Sequence, residues 1–131
     1  RRIMPVLNEA IRKEIPLRIN LVKKKNQLVY PARDFVHIQD FLSVILKRIK
    51  KDITGQHIIN VGNGKLIYLD KIINTFEKKM KTKIYFKKRL NSIGNYNYTL
   101  SNNLKLKKIL NFNFKFNLNH IVNSCIEKKI I

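Results

Sequence analysis

A small mixed α/β domain is predicted by three properties of this sequence. Its 131 residues suit one domain with a single modest core. A hydrophobic content of 44% excludes a disordered, low-complexity chain. Segments with apolar residues at helical spacing alternate with short extended segments, which is the pattern of an α/β fold. No repeat and no internal linker divides the sequence, so we treat residues 1–131 as one domain.

Five extended segments are predicted from alternation or from short apolar runs: residues 17–21, 28–30, 35–38, 58–61 and 84–86. Residues 58–61 are expected to form a buried strand that ends in the turn Gly62-Asn63-Gly64. A loop that contains glycine and asparagine follows the fifth segment, from Asn91 to about Tyr98.

Five helices are predicted from apolar residues at helical spacing. The first covers residues 4–11 and is closed by Pro16, and the second follows Asp40 as its N-cap. The third, Leu69–Met80, has the clearest apolar stripe. A short fourth helix follows Ser101 or Asn102 as its cap, and the fifth is Leu118–Ile126.

The formal net charge of +20 has two interpretations of equal weight. A strongly basic chain favours an anionic partner such as nucleic acid. However, Lys, Asn, Ile, Phe and Tyr are all abundant, and an AT-rich genome enriches these five residues together. No acidic residue occurs between Lys78 and Ile126, and we interpret most lysines there as a solvated surface.

Cysteine content and hydropathy indicate a cytoplasmic protein without a membrane partner. Cys125 is the single cysteine, so no internal disulfide forms and a reducing compartment is expected. No apolar run approaches the ~18–20 residues that span a bilayer. The start of the chain, with Arg1, Arg2 and Pro5, does not have the pattern of a signal peptide.

The chain has no complete catalytic apparatus. Gly62-Asn63-Gly64 lacks the third glycine of a dinucleotide-binding loop, and no Tyr-x-x-x-Lys pair is present in a catalytic setting. His37, His57 and His120 are scattered, so no metal site is expected. His37 is interpreted as a strand residue, and no cofactor is expected to bind to this chain alone.

Residues 33–40, Arg-Asp-Phe-Val-His-Ile-Gln-Asp, resemble a signature of the extended short-chain dehydrogenase/reductase family, the NAD(P)-dependent nucleotide-sugar epimerases and dehydratases. Three further segments are similar to family motifs in the same order. They are Ile3-Met4-Pro5 at a helix start, residues 59–64 at an Asn-(Ile/Val)-Gly-x-Gly turn, and residues 102–112 with Lys105, Leu110, Asn111 and Phe112 at matching positions.

The resemblance implies a C-terminal, substrate-binding portion whose Rossmann half, with its catalytic Tyr and Lys, is missing. In the family, the arginine that matches Arg33 contacts the diphosphate of a sugar nucleotide, and a guanidinium suits that contact. The alternative is a surface ion pair of Arg33 with Asp34 or Asp40. Arg18 and Asn20 match the strand that lines the base.

A second phosphate contact is expected after the fifth strand. The family often has Arg-x-Gly-Asp there, whereas this chain has Ser92-Ile93-Gly94-Asn95. Arg89 or a nearby lysine is the candidate replacement for the missing arginine, and Asn95 stands at the position of the aspartate. The turn after the base strand also departs from the family, so the identity of the base is left open.

The predicted function is therefore binding of the nucleotide-diphosphate part of a sugar nucleotide, in a cytoplasmic enzyme of cell-surface polysaccharide synthesis. The full-length protein is expected to use NAD or NADP, and a homodimer is compatible with the resemblance. A small basic nucleic-acid-binding protein is the alternative, and a ligand-free interaction module is the third hypothesis. We expect an uncovered apolar face where the Rossmann half packs, with residues 4–11 as contributors.

Overall fold

The computed structural model describes residues 3–90 and 97–127, which form five helices and six strands. The helices are α1 (Ile3–Lys13), α2 (Ile38–Lys50), α3 (Leu69–Met80), α4 (Leu104–Leu110) and α5 (Leu118–Ile126). The strands are β1 (Leu17–Lys24), β2 (Gln27–Val29), β3 (Ala32–Asp34), β4 (Leu66–Tyr68), β5 (Phe86–Leu90) and β6 (Tyr98–Thr99). The predicted small mixed α/β fold is confirmed.

The strands form two mixed, three-stranded sheets. In the first, with order β2-β1-β5, β1 pairs antiparallel with β2 and parallel with β5. The two residues between β1 and β2, Lys25 and Asn26, both have positive φ, as a type I′ hairpin turn requires. In the second sheet, with order β4-β3-β6, β3 pairs antiparallel with β4 and parallel with β6.

The larger core lies between the first sheet and helices α1, α3 and α5. Alternation along β1 directs Leu17, Ile19 and Leu21 into this core and leaves Arg18 and Asn20 exposed. The helices contribute the apolar stripes that their spacing predicts, and the most deeply buried members are Leu7, Ile72, Phe76 and Val122.

A smaller core joins α2 to α4 through Val44, Leu106, Leu110 and Phe112. Val44 is the buried apolar residue of α2. The other large apolar side chains of this helix are exposed, and they are Ile38, Phe41, Leu42, Ile45, Leu46 and Ile49. We call these six residues the α2 apolar face.

Two predicted strands are wrong. Residues 35–37 form a loop, and Ile38 begins α2. The strand lies earlier in the chain, because the residues that pair with β4 and β6 are 32–34. Residues 58–61 are irregular, and Ile58 is 89% exposed. An apolar run forms a strand only where a partner strand is available, and this segment has none among the described residues.

Three predicted boundaries shift by a few residues. His37, and not Asp40, caps α2. The strand predicted over residues 84–86 starts at Phe86 and continues through polar residues to Leu90, because it pairs with β1 over its whole length. Asn103 occupies the N-cap of α4, while Asn102 Oδ1 accepts a bond from the amide of Leu104. Helices α3 and α5 have the predicted bounds.

No helix within residues 3–90 and 97–127 is both long enough and apolar enough to span a membrane.

Candidate functional site

A cavity of about 560 Å³ lies where β3, β4, the start of α2 and the first turn of α1 meet α3 and α5. Its walls are mainly apolar, with side chains such as Met4, Phe35 and Ile72. The polar side chains that line it are Arg33, His37 and Ser124. A mainly apolar cavity with a few polar groups is typical of a ligand site.

Arg33 is the cation of this cavity. It is half-buried, and its Nη1 donates to the carbonyl of Ala32 at 2.7 Å, which uses one of the five N–H donors of a guanidinium. Within the described residues, no carboxylate lies at ion-pair distance from Arg33. Among the residues that the structure describes, its charge and most of its N–H donors therefore have no partner and are available to an anion.

The two carboxylates proposed as ion-pair partners of Arg33 are bound elsewhere. Asp34 accepts three backbone N–H groups, from Asn63 at 2.9 Å, Gly64 at 2.8 Å and Ser101 at 3.2 Å. Asp40 is 1% exposed and accepts the amides of two residues in the segment before α5. Successive side chains of a strand point to opposite faces, which separates Arg33 from Asp34.

The turn Gly62-Asn63-Gly64 packs tightly on Asp34. A Cβ at Gly62 would overlap Ser101 and would lie 2.7 Å from Asp34 Oδ2, so a side chain has no space there. Gly64 has a φ of +73°, which favours glycine. Because the Asn63 and Gly64 amides already donate to Asp34, this turn does not offer them to a phosphate, and it does not fit a dinucleotide.

His37 links α2 to α5 in one tautomer. Its Nδ1 accepts the amide of Gln39, so the ring proton is on Nε2, which lies 2.9 Å from Ser124 Oγ. Ser124 Oγ donates in turn to the carbonyl of His120. The ring of His37 also stacks on Phe116 with centroids 4.3 Å apart.

This tautomer excludes nucleophilic catalysis by Ser124. A general base would have to accept the serine proton on Nε2 and donate from Nδ1, whereas both nitrogens have the opposite roles here. His37 is a helix cap, and its prediction as a strand residue is wrong. The sequence signal for this cap was the position of His37 just before an apolar helical stripe.

Protonation of His37 is expected to destabilise the fold. Burial lowers the pKa of His37, Asp40 raises it to a smaller extent, and His120 lowers it further. The contribution of neutral His37 to the unfolding free energy is fully present above the unfolded pKa of ~6.5. It is lost as pH falls through the lower pKa of the folded state. The unfolding free energy should therefore decrease between roughly pH 7 and pH 5.

Urea denaturation of wild-type protein and of His37→Gln across this range measures the effect. The wild-type decrease should exceed that of His37→Gln, while His57→Gln, at an exposed histidine, should follow the wild type. Parallel curves for the wild type and His37→Gln would show that His37 titrates without linkage to folding.

Three predicted binding residues lie together on the first sheet. Asn20 of β1 is in register with Arg89 of β5, and Arg18 is in register with Lys87, so these side chains share one exposed face. Arg33 lies in the other sheet and lines the cavity. The remaining candidate, Asn95, lies outside the described residues.

The exposed lysines are spread over the molecule. They occur on α1 to α4 and on both β1 and β5, and examples are Lys13, Lys23, Lys47, Lys71, Lys87 and Lys105. A nucleic-acid-binding surface instead gathers cations on one face or along one groove. The elements that carry these lysines do not identify one such surface among the described residues, and the nucleic-acid alternative stays the second hypothesis.

The fold is similar to that of solved UDP-sugar epimerases. UDP-glucose 4-epimerase from Brucella ovis, in complex with NAD, matches with a TM-score of 0.86 and 14% identity, over 98% of this chain and 41% of that chain. The enzyme from Bifidobacterium longum, in complex with NAD+ and UDP, matches with a TM-score of 0.82 and 16% identity, over 98% and 40%. The UDP-Glc/GlcNAc 4-epimerase from Campylobacter jejuni matches with a TM-score of 0.79 and 21% identity, over 95% and 39%.

The match extends over about two fifths of each epimerase chain and corresponds to the C-terminal portion. The predicted resemblance is therefore confirmed at the level of the fold. No protein-family model matches the sequence. No curated protein sequence matches it either.

Proposed function

We propose that this chain binds the diphosphate of a sugar nucleotide through Arg33, as the C-terminal portion of an NAD(P)-dependent nucleotide-sugar epimerase or dehydratase. The observation that carries the proposal is the half-buried guanidinium of Arg33, which lines the cavity without an acidic partner among the described residues. A guanidinium in this state gains most from a bidentate oxyanion such as a diphosphate.

The exposed face of the first sheet supports the same proposal. Asn20 offers an amide to a base, and Arg18 and Arg89 offer two further guanidinium groups beside it. Arg89 supplies the second phosphate contact in this proposal, and Asn95 belongs to the same set. UDP-type nucleotides are the first ligands to test, because the B. longum epimerase was solved with UDP.

Chemistry at the sugar requires groups from another part of the protein. The Gly62-Asn63-Gly64 turn does not fit a dinucleotide, so NAD or NADP and the catalytic Tyr and Lys belong to a Rossmann half in this proposal. The chain holds the nucleotide so that the sugar lies over the cofactor, which lowers the entropic cost of reaction. In this proposal the enzyme works in the cytoplasm, as the single cysteine suggests, and serves polysaccharide synthesis.

The α2 apolar face is the proposed contact with the Rossmann half. Six large apolar side chains on one helix exceed the scattered exposure that is normal at a surface. Ile38 also lines the cavity, so the two apolar surfaces are continuous. Residues 4–11 contribute only in part to the uncovered apolar surface: Met4, Leu7 and Ala10 of α1 are buried in the larger core, whereas Pro5 is exposed and lines the cavity.

Arg33→Ala is expected to weaken binding of UDP by roughly ten- to a hundredfold, since a hydrogen bond to a charged group contributes roughly 1.5–3 kcal/mol. Arg33→Lys should recover part of the affinity, because lysine keeps the positive charge but lacks the planar guanidinium that binds an oxyanion through two hydrogen bonds. Titration calorimetry at physiological salt measures the affinity. Arg48→Ala is the matched control, since Arg48 also donates to backbone carbonyls.

Unchanged UDP affinity in Arg33→Ala, with a lower melting temperature, would instead make Arg33 a structural residue and remove the basis of the proposed function.

Substitution of the α2 apolar face is expected to reduce binding of an uncharged hydrophobic dye such as Nile red. Leu42→Gln with Leu46→Gln removes two exposed apolar side chains without touching the cores, so the circular dichroism spectrum should stay unchanged. Ile58→Gln is the control, because Ile58 is exposed and lies outside this face. Equal dye fluorescence in all three proteins would show that the face is not a continuous apolar surface in solution.

A further inference from the structure

The carboxylate of Asp34 is the meeting point of three separate segments. It lies in β3 and accepts the amides of Asn63 and Gly64 from the turn and of Ser101 from the segment before α4. Hydrogen bonds from N–H groups to a carboxylate are charge-assisted and stronger than neutral ones. Asp34 therefore ties β3 to both neighbouring segments.

The turn is fixed from its other side by Asn103. This residue is buried, and its Nδ2 donates to the carbonyls of Gly62 and Asn63 at 3.2 Å. The absence of a Cβ at Gly62 lets Ser101 approach the turn closely. The three amides that bind Asp34 are consequently held by the packing around them and do not depend on Asp34 alone for their position.

Arg33 depends on the placement of β3. The strand has three residues, and its hydrogen bonds run to β4 on one side and to β6 on the other. The amide of Ala32 donates to Asn97, and the carbonyl of Ala32 accepts the guanidinium of Arg33. A strand this short has few backbone bonds, so the three bonds to the side chain of its last residue, Asp34, contribute substantially to holding it in place.

We infer that Asp34 is a positioning residue for anion binding: it touches no ligand, but it holds the strand that presents Arg33 to the cavity. This inference rests on the proposed role of Arg33. In addition, the Asp34 carboxylate is hydrogen-bonded to three backbone amides. It therefore forms no ion pair with Arg33, and the positive charge of Arg33 is not neutralised by its neighbour in the strand.

Asp34→Asn should change UDP affinity in opposite directions, depending on whether Asp34 acts through its negative charge or by positioning β3. Removal of a negative charge near Arg33 should strengthen anion binding if charge alone acts. Loss of position should weaken it, because an asparagine keeps one acceptor oxygen and turns an NH₂ group toward the amides. We expect UDP affinity at physiological salt to fall by about five- to tenfold, or roughly 1 kcal/mol. Asp52→Asn, at an exposed aspartate, should leave the affinity unchanged.

A double-mutant cycle shows whether Asp34 acts through Arg33. In an Arg33→Ala background, Asp34→Asn should change UDP affinity by less than about twofold. Equal weakening in both backgrounds would overturn the inference, and so would wild-type affinity in Asp34→Asn. If Arg33→Ala does not weaken binding, the proposed function fails, and this outcome is distinct from failure of the positioning role alone.

An NMR titration of the wild-type protein tests the inference even if Asp34→Asn does not fold. In wild-type protein, UDP should shift the amide NMR signals of Asn63, Gly64 and Ser101, because these amides report on the Asp34 carboxylate. The same titration of Arg33→Ala should leave the three signals in place. Wild-type signals that do not move at saturating UDP would contradict the coupling.

Discussion

Gly62→Ala is expected to destabilise the protein by about 3 kcal/mol or more, at or above the upper end of the cost of overpacking. The new methyl group would overlap Ser101 Cβ and would lie 2.6 Å from Ser101 Oγ and 2.7 Å from Asp34 Oδ2. Neither neighbour can move cheaply, since the Ser101 amide and the Asp34 carboxylate are hydrogen-bonded to each other. Relief of the overlap would break the hydrogen bonds that the backbone amides of Asn63, Gly64 and Ser101 donate to Asp34. UDP affinity should therefore fall together with stability.

Gly55→Ala is the matched control. Gly55 has a φ of +79°, so alanine there strains the backbone, but nothing lies within 4 Å of the added Cβ. Its cost should be limited to about 1–2 kcal/mol of conformational strain. Urea denaturation midpoints measure both variants. If Gly62→Ala costs no more than Gly55→Ala, the segments around Asp34 are not packed as tightly as the structure shows.

The Gly-Asn-Gly turn illustrates how far the sequence predicts local structure. Its residue types indicate a turn, and the chain bends there, with a positive φ at Gly64. The partner of its amides, Asp34, precedes it by about thirty residues and belongs to another element. Local patterns contain no information on such long-range partners, and for the same reason residues 58–61 were wrongly predicted as a strand.

The helices show the same limit for the candidate site. Periodicity correctly predicts α3 and α5, because an apolar stripe is a local property of the sequence. It does not state what covers each stripe, so it does not distinguish α1, whose stripe is largely buried in the larger core, from α2, whose apolar face is exposed. A sequence motif identifies Arg33 as a candidate. That it forms no ion pair with Asp34 or Asp40 is seen only in the structure, where backbone amides bind both carboxylates.

Asp40→Ala is expected to lower the unfolding free energy by about 3 kcal/mol or more. Asp40 is fully buried in the first turn of α2 and accepts the amides of Lys115 at 3.1 Å and Phe116 at 3.0 Å. Each bond to a charged acceptor contributes roughly 1.5–3 kcal/mol, and its loss leaves the donor without a partner. Phe116 stacks on His37, so the start of α2 and the cavity wall should loosen together.

Asp70→Ala separates this effect from the helix dipole. Asp70 is also an acid in the first turn of a helix, but it is exposed, so its loss should cost about 0.3–1 kcal/mol. NMR titration of His37 gives a second signature. Asp40 raises the pKa of His37 against the larger effect of burial, so Asp40→Ala should move that pKa further down, provided that the ring stays buried. Equal destabilisation by Asp40→Ala and Asp70→Ala, with an unmoved His37 titration, would show that Asp40 acts only as a helix-terminal charge.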